Sequence, residues 1–191
     1  MKSALMLGVN PSAERQENDY YATNPTALSL FLDKLKEDNI KLSREIWEPS
    51  CGEGHLSKVL IRKGYDVFSS DLIDRGYGEV EIDFLNNNYI KCNGDILTNP
   101  PFKLAEQFVE VAMNKIKQGN KLLLFLKIQF LEGQRRKKLF QKHKPKFVYC
   151  YSARQLCAKN GEFEKYTATT QFYCWVIWEK GFTGDTIIKW I

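Results

Sequence analysis

The sequence is poor in the residues that build metal and redox centres. It holds two histidines, His55 and His143, and none of its five cysteines (Cys51, Cys92, Cys150, Cys157, Cys174) stands in a Cys-x-x-Cys pair. A metal site is therefore not expected, and the thiols read as reduced and mostly buried. No apolar run approaches the roughly 20 residues needed to cross a bilayer. The short Ala4-Leu5-Met6-Leu7-Gly8-Val9 patch is no secretory core and has no cleavage-site pattern. These absences point to a cytoplasmic protein with no membrane partner. Internal repeats, low-complexity tracts and a G-x-G-x-x-G phosphate loop are also missing, so the fold is not read as a repeat array or a dinucleotide site.

What is present is an ordinary globular balance, 43% hydrophobic and 27% charged over 191 residues, which fits one domain spanning 1–191. The net charge of +5 is unevenly spread. Residues 1–95 carry 11 Lys/Arg against 16 Asp/Glu, and residues 96–191 carry 17 against 7. A basic C-terminal half suits a polyanionic partner.

Along the chain, residues 1–22 read as an irregular N-terminal arm. Helical and strand patterns then alternate. Leu28, Phe31, Leu32 and Leu35 mark one amphipathic helix, and Leu56, Val59, Leu60 and Ile61 a second, stopped at Gly64. Strands are expected at Ile46-Trp47, Asp66–Leu72, the weak Ile82-Asp83-Phe84, Asp95–Thr98, Leu122–Ile128 and Phe147–Tyr151. Another helix begins near Leu104, and a basic one spans about Gly133–His143. Two last strands, about Thr169–Trp178 and Thr186–Trp190, are joined by a turn and read as an antiparallel hairpin at one edge. The fold class is α/β: a mostly parallel sheet with helices on both faces and a C-terminal antiparallel hairpin. Trp175, Trp178 and Trp190 alternate in apolar strands and are expected to pack on the sheet.

Ligands in such sheets bind at the carboxyl ends of strands. Three candidate segments lie there. Glu48-Pro49-Ser50-Cys51-Gly52-Glu53-Gly54 is a tight strand-to-helix turn whose glycines let backbone approach a ligand. Its acids would repel phosphate and suit an ammonium or sulfonium group; the alternative is a plain glycine turn. Asp71, followed by Leu72, ends the next strand and reads as a ribose-hydroxyl acceptor or a turn cap. Asp83-Phe84 could border a planar base, although core packing is the ordinary role of Phe84.

The fourth segment is Asn99-Pro100-Pro101-Phe102. Two successive residues precede proline, so the Asn99 side-chain oxygen and the Pro100 carbonyl can aim at one point with little entropy left to lose. Two acceptors beside a flat ring match an exocyclic amine. A proline-stiffened turn is the other reading.

Together these segments resemble the S-adenosylmethionine-dependent N6-adenine DNA methyltransferases. Glu48–Gly54 resembles their cofactor motif, with serine replacing the first glycine, and Asn99–Phe102 their catalytic motif. Tyr21-Ala22-Thr23-Asn24-Pro25-Thr26 is similar to the segment that precedes the cofactor motif in the gamma arrangement and helps cradle methionine. The resemblance covers about residues 19–130. Lys127–Gly133 and Trp178–Gly181 are similar to stretches of small phage and prophage enzymes. The resemblance implies a Rossmann-like class I methyltransferase fold and S-adenosyl-L-methionine as cofactor. It further implies cofactor contacts at Tyr21, Thr23, Asn24, Pro25, Glu48, Pro49, Ser50, Cys51, Gly52, Gly54, Asp71, Leu72, Asp83, Phe84 and Asn99. Catalysis falls to Asn99, Pro100, Pro101 and Phe102, and the setting is a bacterial or phage-infected cytoplasm.

DNA contacts are expected from Arg135, Arg136, Lys137 and Lys138, in a run of seven Lys/Arg without an acid, and from Arg154. The run also reads as a solvated helix face anchored by Leu139 and Phe140. Asn24-Pro25 also reads as a helix cap. No separate target-recognition domain has room after Ile128, so specificity rests on the loop near Tyr151–Tyr166, is loose, or comes from a protein partner. RNA adenine, a glutamine amide and a non-catalytic binding module remain alternatives.

Overall fold

The computed structural model describes residues 20–87, 90–155, 157–159, 163 and 171–191. β1 (Tyr21–Thr23) leads directly into α1 (Pro25–Glu37), which starts where its residues dictate. Pro25 has no N–H to satisfy, and Asn24 Oδ1 accepts from Thr26 N at 2.9 Å. Ala27, Leu28, Phe31, Leu32 and Leu35 form its buried stripe. β2 (Glu45–Glu48), α2 (His55–Arg62) and β3 (Asp66–Ser69) follow. Then come β4 (Asp95–Thr98), α3 (Ala105–Lys115), β5 (Lys121–Lys127) and α4 (Gln134–Lys142). The chain finishes with β6 (Phe147–Cys150), β7 (Cys157–Lys159), β8 (Tyr173–Glu179) and β9 (Ile187–Trp190).

Seven strands form one sheet in the order β3-β2-β4-β5-β8-β6-β9. The β3, β2, β4 and β5 neighbours are parallel, and β8 runs antiparallel to both β5 and β6. One apolar layer, with Trp178 fully buried, packs α3 and the Leu139 anchor of α4; the other, with Trp175, packs α1 and α2. Phe31 stacks on Trp175 at 4.6 Å with the ring planes 5° apart, which welds α1 to the sheet.

Three expectations are revised. The C-terminal antiparallel pair of β8 and β9 is present, joined by a short turn, with β6 lying between its two arms and pairing with both. β9 is therefore the edge strand, and with no helix over it Trp190 is 66% exposed rather than packed. Ile82-Asp83-Phe84 forms no strand, because the Asp83 carboxylate accepts from Leu85 N and Asn86 Nδ2 and closes a turn. Within the presumed arm, Tyr21–Thr23 pairs with β7 as a small antiparallel sheet, Tyr21 opposite Lys159 and Thr23 opposite Cys157. Residues 1–19 and most of the 156–170 loop lie outside the described residues. Among the described residues no helix is long and apolar enough to cross a membrane.

The order of strands reverses between β2 and β4. β2 is followed by β3 on one side, and β4 by β5 on the other, which opens a crevice at their carboxyl ends.

Candidate active site

A cavity of about 420 Å³ occupies that crevice, a size suited to a cofactor. Its walls come from segments far apart in sequence: β1, the Glu48–Cys51 turn, Asp71–Ile73, Ile82–Leu85 and the Asn99–Pro101 turn. Tyr21, Thr23, Glu48, Pro49, Ser50, Cys51, Asp71, Leu72, Asp83, Phe84, Asn99, Pro100 and Pro101 all line it.

Asn99 is the most constrained of these. Its Nδ2 donates to the Tyr21 carbonyl at 2.8 Å and to Thr23 Oγ1 at 2.9 Å. The Tyr21 carbonyl can only accept, so the amide nitrogen must face it. Asn99 Oδ1 is then left buried with no hydrogen-bond partner among the described residues. A buried acceptor without a donor costs about 1–3 kcal/mol, so it is retained where a ligand supplies the donor.

Glu48 ends β2 and is fully buried. Burial, with a smaller contribution from the Asp71 charge, pushes its carboxyl up to about 8 against the opposing hydrogen bond from Ser57 Oγ. Glu48 is therefore favoured by burial in its neutral form. It can offer a charge only once a cation arrives to hold it. Ser57 Oγ also meets Ser69 Oγ at 2.5 Å, which ties α2 to β3 behind the carboxyl. Asp71 is partly committed: Oδ2 accepts from Gly52 N at 2.8 Å and Oδ1 from Ile73 N at 3.0 Å. Each oxygen keeps a second lone pair for a ligand hydroxyl. Burial and the Glu48 and Asp71 charges push the Cys51 thiol up to about 12, so it stays protonated.

Several predicted residues stand elsewhere. Gly52 and Gly54 hold left-handed φ values of 54° and 77°, which only glycine adopts cheaply. The space over them is filled by tyrosines, since an added Cβ would fall 2.6 Å from the Tyr20 ring and 2.5 Å from that of Tyr77. Their role in the free protein is the turn and its tyrosine cover, rather than open approach to a ligand. Asn24 and Pro25 cap α1 and do not line the cavity. Phe102 is not in the wall either: its ring lies 6.1 Å from both Tyr21 and Tyr173. Phe84 lines the cavity and also packs in the core, edge-on to Trp47 and stacked on Phe108.

The basic helix is less free than its sequence implied. Arg136 pairs with Glu106 at 3.3 Å and donates to the carbonyls of Gln129, Phe130 and Glu132, so it caps the preceding turn instead of offering its charge outward. Arg135, 84% exposed, also reaches Glu106 at 3.3 Å. Lys137 and Lys138 are exposed. Arg154 lies 4.5 Å over the Phe172 ring. Of the expected substrate loop, Lys159 appears only as backbone in β7, and Asn160, Gly161 and Tyr166 lie outside the described residues.

Sequence reasoning missed Tyr20, Arg75, His55 and Lys103, which also line the cavity. The Arg75 guanidinium sits 4.0 Å over the Tyr20 ring and roofs the Gly52 turn. Burial, followed by the Glu53 charge, pushes the Tyr20 hydroxyl up to about 12. No local motif marks these residues; only the fold brings them over the turn.

No protein-family model matches the chain, and no curated protein matches it. Its fold is similar to that of a protein described as a class I S-adenosylmethionine-dependent methyltransferase from Listeria monocytogenes. The TM-score is 0.65 at 15% identity, over 92% of this chain and 67% of that one. It is also similar to a type I restriction-modification methyltransferase subunit from Streptococcus thermophilus, with TM-score 0.61 and 16% identity, over 86% of this chain but only 46% of that one. A protein described as an RNA methyltransferase from Pyrococcus horikoshii matches with TM-score 0.61 and 14% identity, over 93% of this chain and 95% of that one. The chain thus has the Rossmann-like class I methyltransferase fold.

Proposed function

We propose that this protein transfers the methyl group of S-adenosylmethionine to the exocyclic N6 amine of adenine in DNA. The observation that carries this reading is Asn99 Oδ1, a buried acceptor held in place by Tyr21 and Thr23 and left without a donor among the described residues. An amine N–H is the donor it fits. Adenine's amino lone pair is delocalised into its ring, which makes the nitrogen a poor nucleophile. Acceptance of its two N–H bonds by Asn99 Oδ1 and the Pro100 carbonyl favours a pyramidal nitrogen and stabilises positive charge as it builds there. Neutral Asn99 does this without first removing a proton, and the nitrogen loses one proton to solvent as it gains carbon.

The cavity fits the cofactor. Asp71 retains lone pairs for ribose hydroxyls, Glu48 can ionise against an ammonium, and Leu72, Ile82 and Phe84 supply apolar wall for a planar base. Bound there, S-adenosylmethionine supplies an electrophilic methyl. Most of the acceleration then comes from holding amine and methyl in line. In duplex DNA the target base has to leave the stack, at a cost of a few kcal/mol. Exposed Lys137 and Lys138 offer phosphate contacts, and a protein partner would supply target specificity.

RNA adenine is the second reading. The Pyrococcus neighbour is matched over nearly its whole length, whereas the restriction subunit carries as much chain again. Labelled-methyl transfer to DNA, RNA and protein pools, with the modified nucleoside identified by mass spectrometry, tests both. N6-methyladenine in DNA is the expected product. Label confined to RNA or protein overturns the DNA assignment, and no cofactor binding by calorimetry overturns methyl transfer altogether.

A further inference from the structure

Next to the Asn99 acceptor lies a cation, Lys127, that among the described residues meets aromatic rings and no anion. Lys127 closes β5, the parallel neighbour of the strand that delivers Asn99. Its Nζ stands 4.9 Å from the centroid of Phe102 and 5.9 Å from that of Tyr21, the residue whose carbonyl orients Asn99. Among the described residues Lys127 faces no carboxylate. Several other cations of the C-terminal half are matched by carboxylates, Arg135 and Arg136 by Glu106, Lys142 by Glu110 and Lys146 by Glu179, whereas Lys137 and Lys138 lie exposed away from the Asn99 turn on α4. The nearby Cys157 thiol is no counter-ion, since burial pushes it up to about 12 despite the Lys127 charge.

Among the described residues Phe102 has three neighbours around its ring, Tyr21, Tyr173 and Lys127, and they differ in freedom. Tyr21 is fixed by its ladder with β7 and by its bond to Asn99. Tyr173 is buried at the start of β8 and stacks on Phe125 at 5.0 Å. Lys127 alone of the three is on a flexible four-carbon stem. A ring face holds an ammonium weakly compared with a phosphate oxygen. We infer that Lys127 is a substrate-positioning residue: it rests on Phe102 in the free protein and moves to a backbone phosphate of the target nucleotide as the base enters beside Asn99. This rests on the nucleic-acid reading above, but it can be tested without turnover.

The experiment uses the whole chain and the variants Lys127→Met and Lys127→Arg, with a fluorescent oligonucleotide titrated by anisotropy over a range of salt. Lys127→Met should reduce the slope of log affinity against log salt by about 0.9, the value for one phosphate contact. Lys127→Arg should keep the wild-type slope, and both variants should bind S-adenosylmethionine as the wild type does. In steady-state assays Lys127→Met should raise KM for the nucleic acid with kcat little changed. The ε-methylene protons of Lys127, shifted upfield by the Phe102 ring in the free protein, should move downfield when the oligonucleotide binds. An unchanged slope in Lys127→Met, equal loss in both variants, or ε-methylene protons that do not respond overturns the assignment. A slope change in a protein that methylates no pool leaves Lys127 its role and overturns methyl transfer; methyl transfer with a normal slope in Lys127→Met does the reverse.

Discussion

Replacing Asn99 by alanine separates an amine acceptor from a stiff turn, because the two roles predict opposite balances of stability and activity. The substitution deletes two hydrogen bonds from Nδ2, at 2.8 and 2.9 Å, each worth about 1 kcal/mol net. It also removes the buried Oδ1, which has no partner among the described residues, a burial that costs about 1–3 kcal/mol. These terms offset in part, and the Tyr21 carbonyl and Thr23 Oγ1 lose their donor, so the folded protein should lose about 1–2 kcal/mol. Catalysis has no such offset. Loss of a preorganised partner for developing charge typically lowers the rate by about 100–1,000-fold. Urea unfolding measures the first quantity and labelled-methyl transfer the second, with calorimetry confirming that cofactor affinity stays within about threefold, a shift of under 1 kcal/mol. A variant destabilised by more than about 2 kcal/mol that still turns over at a normal rate would refute the reasoning and return Asn99 to the role of a turn residue.

Four further outcomes follow from the geometry. Glu48, raised from the ordinary 4.5 to about 8, stabilises the ligand-free fold fully below pH 4.5, and that contribution is lost as pH rises through about 8. Urea midpoints should therefore fall across this window in the wild type and flatten in Glu48→Gln; identical profiles would mean that Glu48 is ionised in the fold. Arg136→Ala should cost about 1–3 kcal/mol by freeing three carbonyls and Glu106, yet leave the salt slope of DNA binding alone. The double change Lys137→Ala and Lys138→Ala should do the reverse, lowering the slope by about 2 with the melting temperature unmoved, and anisotropy with thermal melts decides between them. Gly94→Ala would place a Cβ 1.9 Å from the Glu45 carbonyl, a backbone atom, and should cost about 1–3 kcal/mol in urea unfolding; a neutral result would show that β2 and β4 can separate there.

The parts of the site legible in the sequence are those written in consecutive residues. Glu48–Cys51 and Asn99–Pro101 sit at strand ends because proline and glycine fix the local backbone, and both line the cavity. Asp71 was legible for a similar reason, although its hold on Gly52 N was not. What stayed hidden depends on distant segments. The insertion of β6 between β8 and β9 needs pairings that no local pattern encodes. The basic run looked uniform because Glu106, which holds Arg135 and Arg136, lies on another helix. The Tyr20 and Arg75 roof and the Lys127 rest on Phe102 likewise join elements that are far apart along the chain.

The small sheet of β1 and β7 sets a schedule for biosynthesis. Asn99 is oriented by Tyr21, and Tyr21 is held in register by Lys159, a residue made long after both. While the chain is still emerging, the parallel core of β2, β3, β4 and β5 can form, but β1 has no partner strand and the amide has no fixed direction. Contacts between residues so far apart close late. A nascent chain can therefore own the parallel strands and a complete Asn-Pro-Pro-Phe turn before β7 exists to pair with β1, so the Asn99 amide gains its direction from a strand made about sixty residues after it.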